Sequence, residues 1–223
     1  MSPLLSSAPI LWDLDGTIMD SLPGILQTIT YTLTEMGRTP PRNLVSWVGP
    51  PFPHSLRTQA GFSEPEIQEA VVLFRDHYNA VGSHLSSPFP GLPELLGDLR
   101  QAGKNMATAT SKPVTQATDM LQREKLFDLF DVIGAASDDE KRSAKIDVVT
   151  DALDGFHSHK IDTTGAWLIG DRIHDFEAAA QLNMPSVAVT WGYGSAEEWA
   201  YATYIVTEVE QLRKLLGLSR SHC

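Results

Sequence analysis

Cysteine is almost absent: Cys223 is the single one in 223 residues. An intrachain disulfide framework and a cysteine-based zinc cluster are therefore excluded. Basic residues are scarce as well, 17 against 28 acidic, for a formal charge of −11, and no Lys/Arg block interrupts the chain. Nucleic-acid backbones are held chiefly by clustered Lys and Arg, so no nucleic-acid partner is expected. Long apolar runs are missing too. None could span a bilayer, and "MSPLLSSAPI" lacks both the charged start and the apolar stretch of a secretion signal. These absences predict a cytoplasmic protein with no membrane partner. The remainder, 42% hydrophobic and 20% charged, suits one large globular domain or a domain with an insertion. An acidic protein that handles anions must gather positive charge locally, through a metal or a few placed lysines.

What is present alternates. "PILWDLD" (Pro9–Asp15) reads as an apolar strand entering a turn at Gly16. From Ser21 the pattern turns helical, with Leu22, Ile25, Leu26, Ile29 and Leu33 on one face, Ser21 as N-cap and Gly37 as the stop. "WVGPPFP" reads as a loop, and a second helix follows Ser63 with the stripe Ile67, Val71, Phe74 and Tyr78. After "SSPFPG", strands ("NMATAT", "FDVIGAA", "AWLIG", "SVAVTWG", "TYIV") alternate with helices. That order predicts an α/β fold with a doubly wound parallel sheet. Residues 1–20 and 88–223 form its core and 21–87 an inserted helical domain, with hinges near Asp20–Ser21 and Ser87–Pro90.

Asp13 and Asp15 close the first strand, two like charges whose desolvation is costly unless something positive joins them. In such sheets ligands bind at the carboxyl ends of strands, where Thr110-Ser111 and Gly170-Asp171 also fall. Positive charge gathered among these strand ends would relieve the repulsion. Together, "DLDGT" (Asp13–Thr17), Thr110-Ser111-Lys112, a later lysine and "GDRIHD" (Gly170–Asp175) resemble the four motifs of the haloacid dehalogenase superfamily. "DLDGTIMDS" is similar to its phosphoglycolate-phosphatase-like hydrolases, which carry a helical cap after the first strand. The resemblance implies a Mg2+-dependent phosphatase for a small phosphorylated metabolite, phosphoglycolate-like or a nucleoside monophosphate, working through an aspartyl phosphate. Asp13 would be the nucleophile and Asp15 the acid and base, with Asp15 also lending its carbonyl to the metal. Asp171 and Asp175 would complete the metal site. Thr110, Ser111 and the lysine would hold the phosphoryl group. The commonest family pattern has proline directly after that lysine; "KRSAKIDVV" instead offers Lys145 at a helix start, with Lys141 as runner-up. The loop Gly49–Pro53 matches one that projects towards the phosphate in this subgroup, so Gly49 and Arg57, with Phe52 and Arg75, are candidate substrate contacts.

Plainer readings compete. Asp-Gly makes turns and acids favour helix starts; His157 and His159 read as a solvated loop; Arg172 and His174 shape or solvate the last motif. Trp191-Gly192-Tyr193-Gly194 fits either an active-site rim or core packing. A phosphosugar mutase shares every core residue, and a non-catalytic phosphate-binding protein on this fold is the bland alternative. A dehalogenase lacks the second aspartate, and a receiver domain lacks the helical insertion. Monomer and homodimer both remain open.

Overall fold

The computed structural model describes residues 8–48, 52–139 and 141–218. Its strands are β1 (Ile10–Trp12), β2 (Met19–Asp20), β3 (Ser87–Pro88), β4 (Met106–Pro113), β5 (Val132–Ala136), β6 (Trp167–Gly170), β7 (Ser186–Val189) and β8 (Tyr204–Val206). Its helices are α1 (Leu22–Glu35), α2 (Phe52–Gln59), α3 (Glu64–Ala80), α4 (Leu92–Gln101), α5 (Val114–Arg123), α6 (Lys145–Ser158), α7 (Ile173–Gln181), α8 (Ala196–Trp199) and α9 (Val209–Leu215). Six strands form one sheet in the order β5-β4-β1-β6-β7-β8, every neighbouring pair parallel. This is the doubly wound α/β arrangement that the alternation predicts.

Strands of such a sheet are buried on both faces and so read as continuous apolar runs. β1 shows why. Ile10 and Trp12 point into one cluster with Leu92, Leu95, Leu99, Met120 and Leu121, while Leu11 points into the other with Val149, Ala152, Phe156, Ala178 and Ala179. All three β1 side chains are fully buried, and each contributes on the order of 2 kcal/mol by leaving water. β1 lies between β4 and β6, where the winding reverses, so the crevice beyond its carboxyl end is the switch point of the sheet. β1 stops at Trp12 rather than at Asp15; beyond it the Gly16 N–H reaches Met19 O at 2.8 Å, closing a turn.

The chain divides at Met19/Asp20 and at Ser87/Pro88 into two compact units. The inner unit is helical, with its own core of Ile29, Leu33, Trp47, Leu56, Phe62, Ile67 and Ala70. Ser21 stands at the N-cap position of α1, but its side chain makes no capping bond; Asp20 Oδ1 accepts the Leu22 N–H at 3.3 Å instead. At α3 the Glu66 carboxylate reaches back to the Ser63 N–H at 2.7 Å. Helix α2 starts inside the proline-rich stretch read as loop, because Pro53 falls in the first turn, where a missing N–H breaks no bond. No helix among the described residues is long and apolar enough to cross a membrane.

Candidate active site

Three strand ends meet at the switch point. Asp13 and Asp15 follow β1, Thr110 and Lys112 lie in the last half of β4, and Asp171 follows β6, with Asp175 on α7. One carboxylate oxygen each from Asp13, Asp171 and Asp175 lie within 4.8 Å of one another, and all three residues are buried. Lys145, the first residue of α6, joins them. Its Nζ is 2.6 Å from Asp13 Oδ1 and 2.9 Å from Asp175 Oδ1, and it donates to Ala109 O at 2.9 Å. Lys141, by contrast, is exposed and pairs with Asp139.

The β4 edge carries a feature that periodicity does not reveal. Thr110 pairs with Ala135 and Pro113 with Ala136, so Ser111 and Lys112 are extra residues in an irregular step. Such bulges re-aim side chains. Thr110 is buried, its Oγ1 accepting the Lys112 N–H at 3.2 Å, and Ser111 is exposed. Lys112 is buried and its Nζ is 2.8 Å from Asp15 Oδ2.

Asp171 is held from all sides. The Tyr193 N–H donates to its Oδ2 at 2.6 Å, and the Trp199 indole N–H donates to its carbonyl at 3.1 Å. Gly16 adopts φ +82°, and a Cβ there would strike the Asp171 carboxylate. Gly192 is as tightly placed: a Cβ would meet Gly16 O together with the Asp171 carboxylate and Cβ. The Trp191 indole N–H donates to Thr17 O at 3.0 Å, so the Trp191–Gly194 loop buttresses both the first and the fourth motif. Asp175 Oδ2 receives the Arg172 N–H at 3.0 Å, and Arg172 makes a two-pronged pair with Glu198 at 2.8 and 3.0 Å. Arg172 thus shapes the loop, and His174 lies exposed.

Burial lifts the Asp13 carboxyl to about 6, with Asp175 adding to the rise and Lys145 opposing it. Burial, then Asp13 and Asp175, push Asp171 well above the carboxylate range, against the Tyr193 N–H and Arg172. Burial works against the Lys145 ammonium, yet Asp13 and Asp175 outweigh it and leave it raised. Asp13, Asp15, Asp171 and Asp175 set four acidic groups against the two ammonium groups of Lys112 and Lys145, so full ionisation of the cluster would leave two negative charges uncompensated. Clustered, buried oxygen donors with that surplus fit a hard dication, and Asp13, Asp171 and Asp175 are the side chains that would hold it.

The remaining sequence candidates are not among these groups. Gly49 falls outside the described residues. Arg57 belongs to the helical unit, where it is exposed and paired with Glu64, and Phe52 packs there between Trp47 and Phe74. His157 lies in the last turn of α6 and His159 caps its end, so the loop reading is corrected; both are exposed, as expected of solvated side chains, and His157 bonds Thr163 Oγ1 at 2.8 Å. Sequence reasoning assigned no part to Lys112, Glu198, Trp199 or the Tyr193 N–H. Lys112 and Tyr193 lay within stretches already singled out; Glu198 and Trp199 did not.

Comparison with known proteins gives the family. The family model for haloacid dehalogenase-like hydrolases matches residues 10–189. The "Tyrosine-protein kinase PtkA" of Mycobacterium tuberculosis is 36% identical, over 97% of this chain and 75% of that protein. A "5'-nucleotidase" of Pseudomonas aeruginosa is 30% identical over 93% of this chain and 94% of its own. The crystal structure of a predicted phosphatase from Clostridium acetobutylicum superposes with a TM-score of 0.83 at 36% identity, covering 93% of this chain and 97% of that one. The chain belongs to the haloacid dehalogenase-like hydrolases.

Proposed function

We propose that the protein is a Mg2+-dependent phosphatase that hydrolyses a small phosphorylated metabolite, phosphoglycolate-like or a nucleoside monophosphate, through an aspartyl phosphate on Asp13. The observation that carries this reading is the buried Asp13 carboxylate, 2.6 Å from the Lys145 ammonium and within 4.8 Å of Asp171 and Asp175. A bound dication would supply charge neutralisation for the incoming phosphoryl group. The chain's own groups do the rest. An Asp13 oxygen attacks phosphorus while Lys145 faces the charge that spreads over the phosphoryl oxygens. The Thr110 hydroxyl, buried at the same sheet edge, orients that group. Asp15 gives a proton to the departing alcohol, then takes one from the water that attacks the acyl phosphate and frees Asp13. The helical unit Asp20–Ser87 acts as a cap that selects the leaving group.

Phosphate release from a panel of phosphorylated metabolites, ranked by kcat/KM, tests the reading. With Mg2+ present a preferred substrate is expected. Asp13→Asn should lower turnover by at least about 1000-fold without loss of fold, in line with removing a covalent nucleophile, and chelation should silence the wild type reversibly. Turnover that survives either change defeats the proposal. The likeness to PtkA favours a second reading, phosphoryl transfer to tyrosine. Phosphotyrosine formed from ATP on a peptide, without net phosphate release, would select it.

A further inference from the structure

We propose that Lys112 is a positioning residue for Asp15, fixing which carboxyl oxygen carries the proton that goes to the leaving group. This rests on the acid–base role of Asp15 proposed above. The Lys112 side chain is 5% exposed, and its Nζ sits 2.8 Å from Asp15 Oδ2. The other oxygen, Oδ1, is buried and has no hydrogen-bond partner among the described residues. An ammonium group only donates, and a protonated carboxyl carries its hydrogen on one oxygen. With Oδ2 accepting from Lys112, the acidic hydrogen belongs on Oδ1. In the first half-reaction the Oδ1–H bond breaks and the proton joins the bridging ester oxygen. The P–O bond cleaves at the same time, its electron pair staying on that oxygen. The carboxylate left on Asp15 then faces an ammonium it already touches. In the second half-reaction Oδ1 takes a proton back from the attacking water.

The local fold explains how Lys112 arrives there. The irregular step in β4 leaves Ser111 exposed and Lys112 buried, and the Lys112 N–H is anchored on Thr110 Oγ1. An ammonium group is buried at a cost unless it is paired. Lys145 serves Asp13 and Asp175, whereas Lys112 reaches Asp15. The two lysines therefore divide the nucleophile from the acid.

A leaving-group series tests this division. kcat/KM is measured with Mg2+ on monoesters ranging from nitrophenyl phosphate, whose phenolate departs unprotonated, to alkyl phosphates, whose alkoxide cannot. For Lys112→Met a loss of about tenfold is expected on the nitrophenyl ester and about 1000-fold on alkyl esters, within the range that general-acid catalysis contributes. Each series is read within one preparation, so a partly misfolded variant changes its height and not its slope. Asp15→Asn is measured in parallel. A steep series for Asp15→Asn beside a uniform loss for Lys112→Met overturns the Lys112 role and leaves the acid–base reading standing. A shallow series for Asp15→Asn overturns that reading, and the Lys112 role with it.

Discussion

At the scale of single residues, the site depends on one carboxylate being prevented from moving. Asp171 is fully buried, bonded by the Tyr193 N–H and hemmed in by Gly16 and Gly192. Gly192→Ala should therefore displace it, since the new methyl group would meet Gly16 O and the Asp171 carboxylate at once. Overpacking of this kind costs about 1–3 kcal/mol. We expect Mg2+ affinity, read by titration calorimetry, to fall about tenfold or more, because an energy of that size is worth such a factor. Gly97→Ala is the matching control: nothing lies within 4 Å of its would-be Cβ, it sits inside α4, and the change should stabilise the fold by about 0.5–1 kcal/mol. Unaltered metal binding by Gly192→Ala would show that Asp171 is not confined in the way described. The same residues mark what a sequence can disclose. Asp13, Asp171 and Asp175 were legible because a carboxylate's chemistry lies in its side chain. Tyr193 acts through a backbone N–H, which nearly every residue type possesses, so its side chain gave no signal.

At the scale of elements, the last motif is supported by a helix of four residues, α8, which was not foreseen. So short a run has no apolar period to read. Its two successive residues grip the loop before α7: Glu198 pairs with Arg172, and the Trp199 indole N–H bonds the Asp171 carbonyl. The Arg172 and Glu198 side chains are 20% and 22% exposed, so the pair is largely shielded from water. Hydrogen bonds to charged groups contribute about 1.5–3 kcal/mol under such conditions. Glu198→Ala is expected to raise the Mg2+ concentration for half-maximal activity about tenfold or more and to lower Tm, whereas Glu198→Gln, which keeps an acceptor oxygen, should lose less. If both variants require the same Mg2+ as the parent, α8 does not brace the site. Long elements were easier. α1 and α3 showed their stripes, and the β strands showed continuous apolar runs, because burial over many residues leaves a repeating record. Where a single irregular step decided the outcome, as at Ser111–Lys112, no repeat recorded it.

At the scale of the whole molecule, residues from position 13 to position 175 are gathered at one sheet edge, at an electrostatic cost that folding must meet. The order of elements, and hence the sheet, followed from alternation. The strength of this mutual repulsion did not, since it depends on burial and distance. Its consequence is a reversed pH response. Asp13 titrates near 3.8 when exposed but at about 6 in the fold, so between those values the native state holds more protons than the unfolded chain. Without a metal, the stability contributed by this group therefore falls as pH rises from about 4 to about 6. Above that window the loss is complete and amounts to roughly 3 kcal/mol, at 1.36 kcal/mol per pKa unit. The raised Asp171 carboxyl acts in the same direction. A dication inverts the situation, because it binds the deprotonated cluster and stabilises the state that contains it. Thermal unfolding with Mg2+ or with chelator, at pH 5 and pH 7.5, separates the two regimes. Mg2+ should raise Tm clearly at pH 7.5 and little at pH 5, where protons already compete for the raised Asp13 and Asp171 carboxyls. Asp13→Asn, which removes the share of the repulsion that Asp13 contributes, should unfold at a higher temperature than the metal-free parent at pH 7.5 and gain little from Mg2+. An equal response to Mg2+ at both pH values, or none at either, would mean that the acidic cluster is not held together by a dication.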